Sequence, residues 1–346
     1  MNGDEPQGQL RIGVIGVAHR PHAMAYAHAA STLDATTLVG VFDDDREAGG
    51  AIADRYGVPF RADLDEFLDS GELEAVIVCN ETSDHRRLVE AAARRGLHVL
   101  CEKPIATTLE DAATMIAACD AAGVQLHVAY STRFYPMVVE ARAAIEAGAI
   151  GDVVGMVGGN RGRPPLPPQY PAWITDVRQA GGGALLDHSV HVTDVMRHVL
   201  GREVVRVNAE VGDRFWSSGV DDMAAMSLVF DGGAIASVDP SWSVPERNPW
   251  SYDFFLRVLG TAGTITIDDR NEVVRLVTGD GLRLVPFGVD IDAAMIEAFA
   301  RSVRSGHVEP PCAIGEDGYR SLEIALAGYR SATSHRTVQM RAGDAR

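Results

Sequence analysis

Lysine is nearly absent from this chain of 346 residues. Thirty of its 31 basic residues are arginine, and the one lysine is Lys103. Arginine is effectively always charged, whereas the amine of a lysine can lose its proton when its pKa is lowered. Composition alone leaves two interpretations open. Either Lys103 is a reactive amine, or it is a surface residue left by a coding bias towards arginine, and the residues around it must decide.

Other features that the sequence lacks exclude several classes of protein. With 48 acidic residues and a formal net charge of -17, the chain has no surplus of basic residues for nucleic acid or an anionic membrane surface. Its apolar runs are too short to span a bilayer, and residues 1–9 lack the apolar core of a signal peptide. The four cysteines form no CxxC pair, which favours reduced thiols. We therefore expect a cytoplasmic protein without nucleic-acid or membrane partners.

The first part of the chain alternates between two kinds of segment. Short apolar strands are predicted at residues 10–15, 37–42, 75–79 and 98–101, and helical patterns at 21–31, 46–56, 84–95 and 109–122. Continuous apolar strands that alternate with amphipathic helices are typical of a parallel sheet covered on both faces. Residues 1–130 are therefore predicted to form a doubly wound α/β domain of the Rossmann type.

Residues 131–346 have a different pattern, which predicts an α+β domain. Gly158–Pro171 is rich in Gly, Pro and Arg and is interpreted as an ordered loop, and a helix is predicted over residues 184–200. Alternating apolar and polar stretches follow, which predict a mostly antiparallel sheet with one open face. Because exposed apolar sheet faces generally need cover, we expect a homodimer or a homotetramer.

The first strand is followed by an incomplete dinucleotide fingerprint. When the pattern G-x-G-x-x-G is aligned with the turn, its glycine positions fall on Gly16, Ala18 and Pro21. Gly16 permits the tight turn, Ala18 adds a methyl group where backbone should approach the pyrophosphate, and Pro21 suits the first turn of a helix. The motif alone is also compatible with an ordinary strand–helix turn.

The end of the next predicted strand carries three aspartates, beginning with Asp43 and Asp44. Asp43 lies 22 residues after Pro21 (43 minus 21), close to the spacing of about 20 expected for the acid that binds the adenosine ribose. Carboxylates there should repel a 2'-phosphate, so NAD is favoured over NADP, although the neighbouring Arg46 could accommodate a phosphate. Enzymes that use S-adenosylmethionine share a Gly-rich turn and an acid, so other landmarks are needed.

Two further predicted strands end in polar residues. Asn80 and Glu81 follow one strand, and Glu102 and Lys103 follow the next. Because ligands of open parallel sheets bind at the carboxyl ends of the strands, Lys103 is expected where the nicotinamide end of a dinucleotide would lie. Pro104 favours an extended backbone at Lys103.

These motifs together resemble the Gfo/Idh/MocA oxidoreductases, the family of glucose–fructose oxidoreductase and inositol dehydrogenase. The segments that carry the resemblance occur in order along the chain: Glu102-Lys103-Pro104, Tyr130 to Pro136, Gly181 to Asp187 with His191 and Asp194, Leu259 to Gly263, and Glu316-Asp317-Gly318. The chain departs from the pattern at Ala18 and Pro21, and at His188 and Ser189, where a glycine is frequent. The second departure indicates a subgroup with its own substrate.

The predicted helix over residues 184–200 carries a possible acid–base pair. Asp187 and His191 are four residues apart, so they share one face of a helix. His191 is expected to act as the acid or base, with Asp187 orienting it, and Lys103 to bind the reacting oxygen; the resemblance implies the same three roles. One alternative is a capping Asp187 with a solvated His191. Another is a metal site that includes His188 and Asp194, but the resemblance implies no metal.

The predicted function is hydride transfer between NAD(H) and a secondary alcohol or ketone of a sugar, cyclitol or related polyol. Redox-assisted glycoside cleavage and a non-catalytic NAD-binding regulator remain alternatives. The predicted cofactor-binding residues are Gly16, Ala18, His19, Asp43, Asp44, Asn80, Glu81, His85, Glu102, Lys103 and Arg133. The predicted substrate-binding residues are Tyr130, Arg161, Trp173 and His188.

Overall fold

The described part of the chain forms two compact units. The computed structural model describes residues 8–269, 273–278, 281–286 and 288–340. Within them, the first unit consists of residues 8–134, Arg178–Gly181 and Ile291–Tyr319, and the second consists of Tyr135–Val177 and the described residues of 182–290 and 320–340.

The helices and strands are numbered in chain order. The strands are β1 (Leu10–Ile15), β2 (Thr36–Phe42), β3 (Phe60–Arg61), β4 (Ala75–Val78), β5 (His98–Cys101), β6 (Leu126–Val128), β7 (Val153–Gly162), β8 (Val204–Gly212), β9 (Met223–Phe230), β10 (Ile235–Asp239), β11 (Tyr252–Gly260), β12 (Thr264–Asp268), β13 (Val273–Thr278), β14 (Gly281–Pro286), β15 (Ala313–Ile314) and β16 (Val338–Gln339). The helices are α1 (Arg20–Thr32), α2 (Arg46–Tyr56), α3 (Leu64–Leu68), α4 (His85–Ala93), α5 (Leu109–Ala122), α6 (Pro136–Glu146), α7 (Val177–Ala180), α8 (Ala184–Leu200), α9 (Ile291–Ser305) and α10 (Gly315–Ser334). Short 3-10 turns lie at Thr82–Asp84, Ser131–Phe134 and Ala172–Thr175.

The sheet of the first unit confirms the predicted doubly wound architecture. Its strand order is β15-β6-β5-β4-β1-β2-β3. Neighbouring strands are parallel, except that β15 runs antiparallel to β6. Every residue of β4 is buried, as expected for a strand covered on both faces. The strand ends that carry the predicted cofactor residues therefore lie along one edge of this sheet.

Residues 291–319 pack in the first unit, although they were predicted to belong to the second domain. Ile296 and Phe299 of α9 are fully buried in the same apolar core as Ile12 and Ala27. The ring of Phe299 also lies 5.0 Å from that of His127, edge to face. The sequence of α9 is amphipathic, but nothing in it indicates which sheet the helix covers.

The sheet of the second unit is mostly antiparallel, as predicted. Its strand order is β12-β11-β7-β10-β9-β8-β16, and within it β10 pairs with β7 in parallel. The predicted loop over Gly158–Pro171 is wrong for residues 158–162, which belong to β7, an interior strand of this sheet. A β-carbon at Gly158 would lie 2.9 Å from the Met196 methyl carbon, and one at Gly159 would lie 2.6 Å from the Phe255 ring. The glycines of this strand therefore permit close packing rather than a flexible loop.

β13 and β14 pair as a separate two-stranded antiparallel sheet. Across the residues that the structure describes, none of the helices combines the length and apolar character that crossing a membrane requires.

Candidate active site

The turn between β1 and α1 is built closely against the end of β4. Gly16 has a φ of +77°, and a β-carbon there would lie 2.5 Å from that of Asn80. The Gly16 amide donates to the Phe42 carbonyl at 2.9 Å, and the His19 amide donates to the Cys79 carbonyl at 2.9 Å. Both its backbone conformation and its surroundings therefore require glycine at residue 16.

Asp43 is tied to this turn by its carboxylate. One carboxylate oxygen accepts the Val17 amide and the other accepts the Asp45 amide, each at 2.6 Å. Burial raises the pKa of Asp43 above its ordinary value, although both amides act in the opposite direction. The Asp44 carboxylate is 73% exposed and lies 3.6 Å from the Arg87 guanidinium. Only Asp43 of this pair is therefore held against the glycine turn.

The geometry around this turn fits a dinucleotide. The first turn of α1 carries no acidic residue, and the side chain of its N-cap residue, His19, makes no capping hydrogen bond. The positive end of the helix dipole therefore remains available to a phosphate group. The carboxylate of Asp43, at the end of the adjacent strand, is placed to accept hydrogen bonds from a ribose. Predicted contacts of Ala18 and His19 with the cofactor stay predictions.

Glu102 is the centre of a buried polar cluster at the end of β5. Its side chain is 1% exposed. One oxygen lies 2.6 Å from His22 Nδ1 and accepts the Tyr26 hydroxyl at 2.6 Å, and the other accepts the Lys103 amide at 2.8 Å. Burial raises the pKa of Glu102, but His22, His19 and Lys103 lower it by more, so the net pKa is well below the ordinary value. Lys103, itself 7% exposed, thus follows an ionised buried carboxylate.

His85 joins the ends of two strands. Its Nδ1 lies 3.2 Å from the Ile105 carbonyl, and its Nε2 lies 3.1 Å from the Asn80 carbonyl. Burial lowers the pKa of His85, despite these two carbonyls, so the ring is neutral near pH 7. Burial also raises the pKa of Glu81. The structure gives His85 a supporting position beneath Asn80, and direct contacts of Asn80, Glu81 and His85 with a cofactor remain predictions.

Arg133 ties the turn at Ser131–Phe134 to the C-terminal part of the first unit. Its Nη2 lies 3.1 Å from Asp317, and its Nη1 donates to the Cys312 carbonyl at 3.2 Å. The side chain is 4% exposed, so these contacts assign it a structural function. Tyr130, directly before this turn, is 1% exposed. A cofactor contact of Arg133 and a substrate contact of Tyr130 stay predictions.

In the second unit, Asp221 caps the N-terminus of α8 from a distant loop. Its carboxylate accepts the Gly183 amide at 3.1 Å, the Leu185 amide at 2.7 Å and the Tyr329 hydroxyl at 2.7 Å. A β-carbon at Gly183 would collide with the Asp221 backbone, and one at Gly182 would collide with the Tyr329 hydroxyl. The glycine run therefore lets these two groups reach the first turn of the helix.

The cap fixes the start of the helix that carries the predicted acid–base pair. One oxygen of Asp187 lies 3.3 Å from Trp242 Nε1 and 3.3 Å from His188 Nε2. His188 Nδ1 lies 2.9 Å from the Asn160 carbonyl, and a β-carbon at Gly162 would lie 2.5 Å from the His188 ring. The Asp187 side chain remains 26% exposed, so it can still reach a ligand.

His191 lies one helical turn after Asp187 and is partly exposed. Sequence reasoning missed the contribution of Trp242 to this group. No local signal could reveal it, because 55 residues separate Trp242 from Asp187. The catalytic roles predicted for Lys103, Asp187 and His191 stay predictions.

Arg161 is not brought to Asp187 and His188. Gly162 faces His188 of α8, so the alternation of β7 places Arg161 on the opposite face of the sheet. There its Nη2 lies 2.5 Å from Asp253, and its guanidinium carbon lies 5.2 Å from the centre of the Phe255 ring. The loop interpretation of residues 158–171 gave no basis for assigning faces to these residues.

Trp173 lies in the 3-10 turn Ala172–Thr175 and is partly buried, and its substrate contact stays a prediction. Over the described ranges, no group of three or more His, Cys, Asp and Glu side chains is arranged to hold a metal ion. The expectation of a metal-free enzyme remains a prediction.

Comparisons with known proteins place these features in one family. Residues 10–130 match the Gfo/Idh/MocA oxidoreductase family, NAD-binding Rossmann fold, and residues 138–266 match the Gfo/Idh/MocA C-terminal domain. The chain is 30% identical to the myo-inositol 2-dehydrogenase of Thermotoga maritima, covering 96% of this chain and 98% of that protein. It is 29% identical to the NADP-dependent D-xylose 1-dehydrogenase 2 of Haloferax volcanii, covering 96% and 98%. The crystal structure of GenD2 from gentamicin A biosynthesis in complex with NAD has a TM-score of 0.87 and 25% identity, covering 99% of each chain.

Proposed function

Because the chain belongs to the Gfo/Idh/MocA family of oxidoreductases, we propose that it oxidises a secondary alcohol of a sugar, cyclitol or related polyol with NAD, or catalyses the reverse reaction. The observation that carries this proposal is the position of Lys103. The one lysine of the chain lies after the carboxyl end of β5, with its amide held by the buried carboxylate of Glu102. A compact amine at that strand end is suited to bind a reacting hydroxyl or carbonyl oxygen.

Three side chains are proposed to carry the proton chemistry. The nicotinamide of bound NAD accepts or supplies the hydride. His191 takes the hydroxyl proton during oxidation and returns it during reduction. Asp187 orients His191 and is itself held by the Trp242 indole. Lys103 donates a hydrogen bond to the reacting oxygen and stabilises the negative charge that develops there.

The proposed coenzyme preference is NAD over NADP. It is supported by Asp43, whose buried carboxylate lies against the glycine turn, and by the neighbouring carboxylate of Asp44. Both would repel a 2'-phosphate, and desolvation of that phosphate beside them would add to the cost. Titration of kcat/KM with each coenzyme tests this preference. Equal or higher efficiency with NADP would contradict it.

We propose a cyclitol or sugar substrate with several hydroxyl groups. The support comes from the named relative, a myo-inositol 2-dehydrogenase, and from the polar group formed by Asp187, His188 and Asn160 in the second unit. His188 is proposed to contact substrate hydroxyls, because the chain has His188 and Ser189 in a segment where family members frequently have a glycine, which indicates a subgroup with its own substrate.

We also propose that the protein is a homo-oligomer. A cytoplasmic location is proposed as well, and the four buried free cysteines are consistent with it.

The direct test is absorbance of the reduced nicotinamide with a panel of cyclitols, aldoses and anhydrosugars. Turnover with at least one polyol is expected, and Lys103→Arg should lower kcat by about a hundredfold or more, because it retains charge but loses the compact donor. Near-normal turnover of Lys103→Arg would contradict the role of Lys103. NAD binding without absorbance change across the whole panel would favour a regulator or a cofactor recycled in place.

The mechanism is also proposed to need no metal. Loss of activity on chelation, with recovery on adding zinc, would contradict it.

A further inference from the structure

We propose that His22 is a positioning residue that acts on Lys103 through Glu102, and that it makes the surroundings of Lys103 depend on pH. This inference rests on the proposed function only for its catalytic consequence. The structural coupling itself concerns the first unit and can be measured without substrate.

The geometry places Glu102 between the two basic side chains. His22 Nδ1 and the Tyr26 hydroxyl both lie 2.6 Å from one carboxylate oxygen. The other oxygen accepts the amide of Lys103 at 2.8 Å. His22 and Tyr26 are four residues apart on α1 and therefore share the helix face that meets this carboxylate. The Glu102 carboxylate is a single rigid group. A change in how His22 binds one of its oxygens is therefore transmitted to the Lys103 amide, which is bound to the other oxygen.

The charges of the cluster make His22 the main compensation for Glu102. Burial raises the pKa of Glu102, but the charge and hydrogen bond of His22 lower it first and most, followed by His19 and Lys103. Burial in turn lowers the pKa of His22. Glu102 and then Asp292 raise it, Lys103 opposes them, and the net pKa lies above the ordinary value of 6.5. When it carries its proton, His22 forms an ion pair with Glu102 at 2.6 Å, with side chains 33% and 1% exposed.

Four further titratable groups face the pair: Tyr26, Cys79, His19 and Asp292. Burial and Glu102 raise the pKa of Tyr26 well above its ordinary value, so its hydroxyl continues to donate. Burial and Glu102 likewise raise the pKa of the Cys79 thiol. The His19 ring lies 3.9 Å from that of His22, and the carboxylate of Asp292, at the start of α9, acts on His22 to raise its pKa. When His22 loses its proton, Glu102 thus keeps its charge but loses its principal counter-charge beside Lys103.

The composition of the chain provides a direct probe of this coupling. Because Lys103 is the only lysine, protein labelled with ε-¹³C lysine and produced without lysine in its tag gives one lysine resonance. That resonance should shift in a step as His22 titrates, above pH 6.5. His22→Gln keeps a donor for Glu102 but carries no charge, so the step should disappear while the fold is retained. A wild-type resonance without the step, or an unchanged step in His22→Gln, would overturn the coupling.

His28→Gln is the matched control. His28 is on the same helix but exposed, with its ring 6.3 Å from that of Tyr56, so this variant should retain the step. Tyr26→Phe removes one donor without removing the charge of His22, and should also retain it. Loss of the step in His28→Gln would contradict a specific effect of His22.

The catalytic consequence is read from the pH dependence of kcat/KM. The wild-type profile should contain a change at the same pH as the lysine step, and His22→Gln should lack it. His22→Leu removes both charge and hydrogen bond, and kcat should fall about tenfold, with His22→Gln restoring most of it. Persistence of the resonance step together with full activity of Lys103→Arg would reject the proposed function but support the coupling. Equal kcat and equal pH profiles in wild type, His22→Gln and His22→Leu would overturn the positioning role.

Discussion

Glu102 and Asp187 each hold or orient a neighbour that is proposed to act on substrate, and each is itself held by a side chain far away in the sequence. The sequence placed Glu102 beside Lys103 because the two are adjacent and follow an apolar strand. It also placed Asp187 one helical turn before His191. The partners that hold these carboxylates could not be predicted. Trp242 reaches Asp187 across 55 residues, and His22 reaches Glu102 across 80. Such contacts depend on tertiary packing, which spacing along the chain does not record.

Replacement of Trp242 by phenylalanine should weaken the hold on Asp187. The indole of Trp242 is fully buried, and its N–H donates to Asp187 at 3.3 Å. We expect Trp242→Phe to lower kcat about tenfold, the size of one hydrogen bond to a charged group, with a smaller change in KM. The acidic limb of the kcat/KM profile should move to higher pH, because the carboxylate loses a donor that favours its charged form.

Trp216→Phe is the control for this prediction. The Trp216 indole donates to the Trp242 carbonyl at 2.8 Å rather than to Asp187, so it tests a nearby loss of packing. Steady-state kinetics from pH 5 to 9 compare the two variants. Equal losses in both, with no movement of the acidic limb, would mean that Trp242 supports only the fold.

Among the elements, the helices of the first unit were the easiest to predict. The predicted bounds of α2 and α5 agree with the structure because both helices carry explicit end signals. Asp45 and Thr108 cap their N-termini, and Gly57 and Gly123 end them with φ of +66° and +68°. β7 was harder to predict, because a segment rich in glycine has the composition of a loop. What makes them necessary is the packing of α8 and Phe255 against the strand, which is a tertiary property.

The N-terminus of α8 is capped from outside the helix. Gly183 has no side chain, so Asp221 supplies the cap that a Ser, Thr, Asn or Asp would normally provide from within the helix. Asp221→Asn keeps the shape but replaces one accepting oxygen with a donor facing backbone amides. We expect the free energy of unfolding to fall by about 1 to 2 kcal/mol, measured by urea denaturation.

Activity should fall together with stability in Asp221→Asn, because the same turn carries Asp187. Asp231→Asn is a suitable control, since this exposed loop residue donates its amide to the Glu203 carbonyl, and its backbone is unchanged by the substitution. If the two variants denature at the same urea concentration, the carboxylate of Asp221 is not the cap that stabilises α8.

The family and the two kinds of sheet were predictable from the sequence, whereas the path of the chain between the two units was not. Ordered motifs along nearly the whole sequence led to the family that the comparisons confirm. The return of residues 291–319 to the first unit depends on contacts with residues more than 200 positions earlier, such as Arg304 with Glu74. Amphipathicity indicates that a helix needs a partner, but it does not identify that partner.

The open face of the second sheet provides a test of the proposed oligomer. Val157 of β7 and Ile235 of β10 are 45% and 61% exposed, and strand pairing puts them on one face with Ser227 and Ser237. A charge inserted into a covered apolar face would be costly to bury. Ile235→Glu should therefore reduce the mass measured by light scattering to that of a monomer. Val308→Glu, a substitution at a similarly exposed valine of the first unit, should leave the mass unchanged, and a monomeric wild type would contradict the oligomer.

The ion pair between Glu74 and Arg304 ties the returning segment to the first sheet, and its contribution should depend on pH in a defined direction. Arg304 donates to both oxygens of Glu74, at 2.7 and 3.0 Å, and the Arg11 amide donates at 3.0 Å. The hydrogen bond from Arg304 is the main cause that lowers the pKa of Glu74 below its ordinary value of 4.5. A carboxylate with a lowered folded-state pKa stabilises the protein above the unfolded pKa, and this contribution is lost as the pH falls. Glu74→Gln should thus lower the free energy of unfolding by about 1 kcal/mol at pH 7, and the difference from wild type should shrink below pH 4.5.

Glu297→Gln is the control, because it removes a more exposed ion pair with Arg301 on the same helix. It should lower the free energy of unfolding by less. A difference between wild type and Glu74→Gln that is constant from pH 7 to pH 3 in urea denaturation would show that the charge of Glu74 does not hold the segment in place.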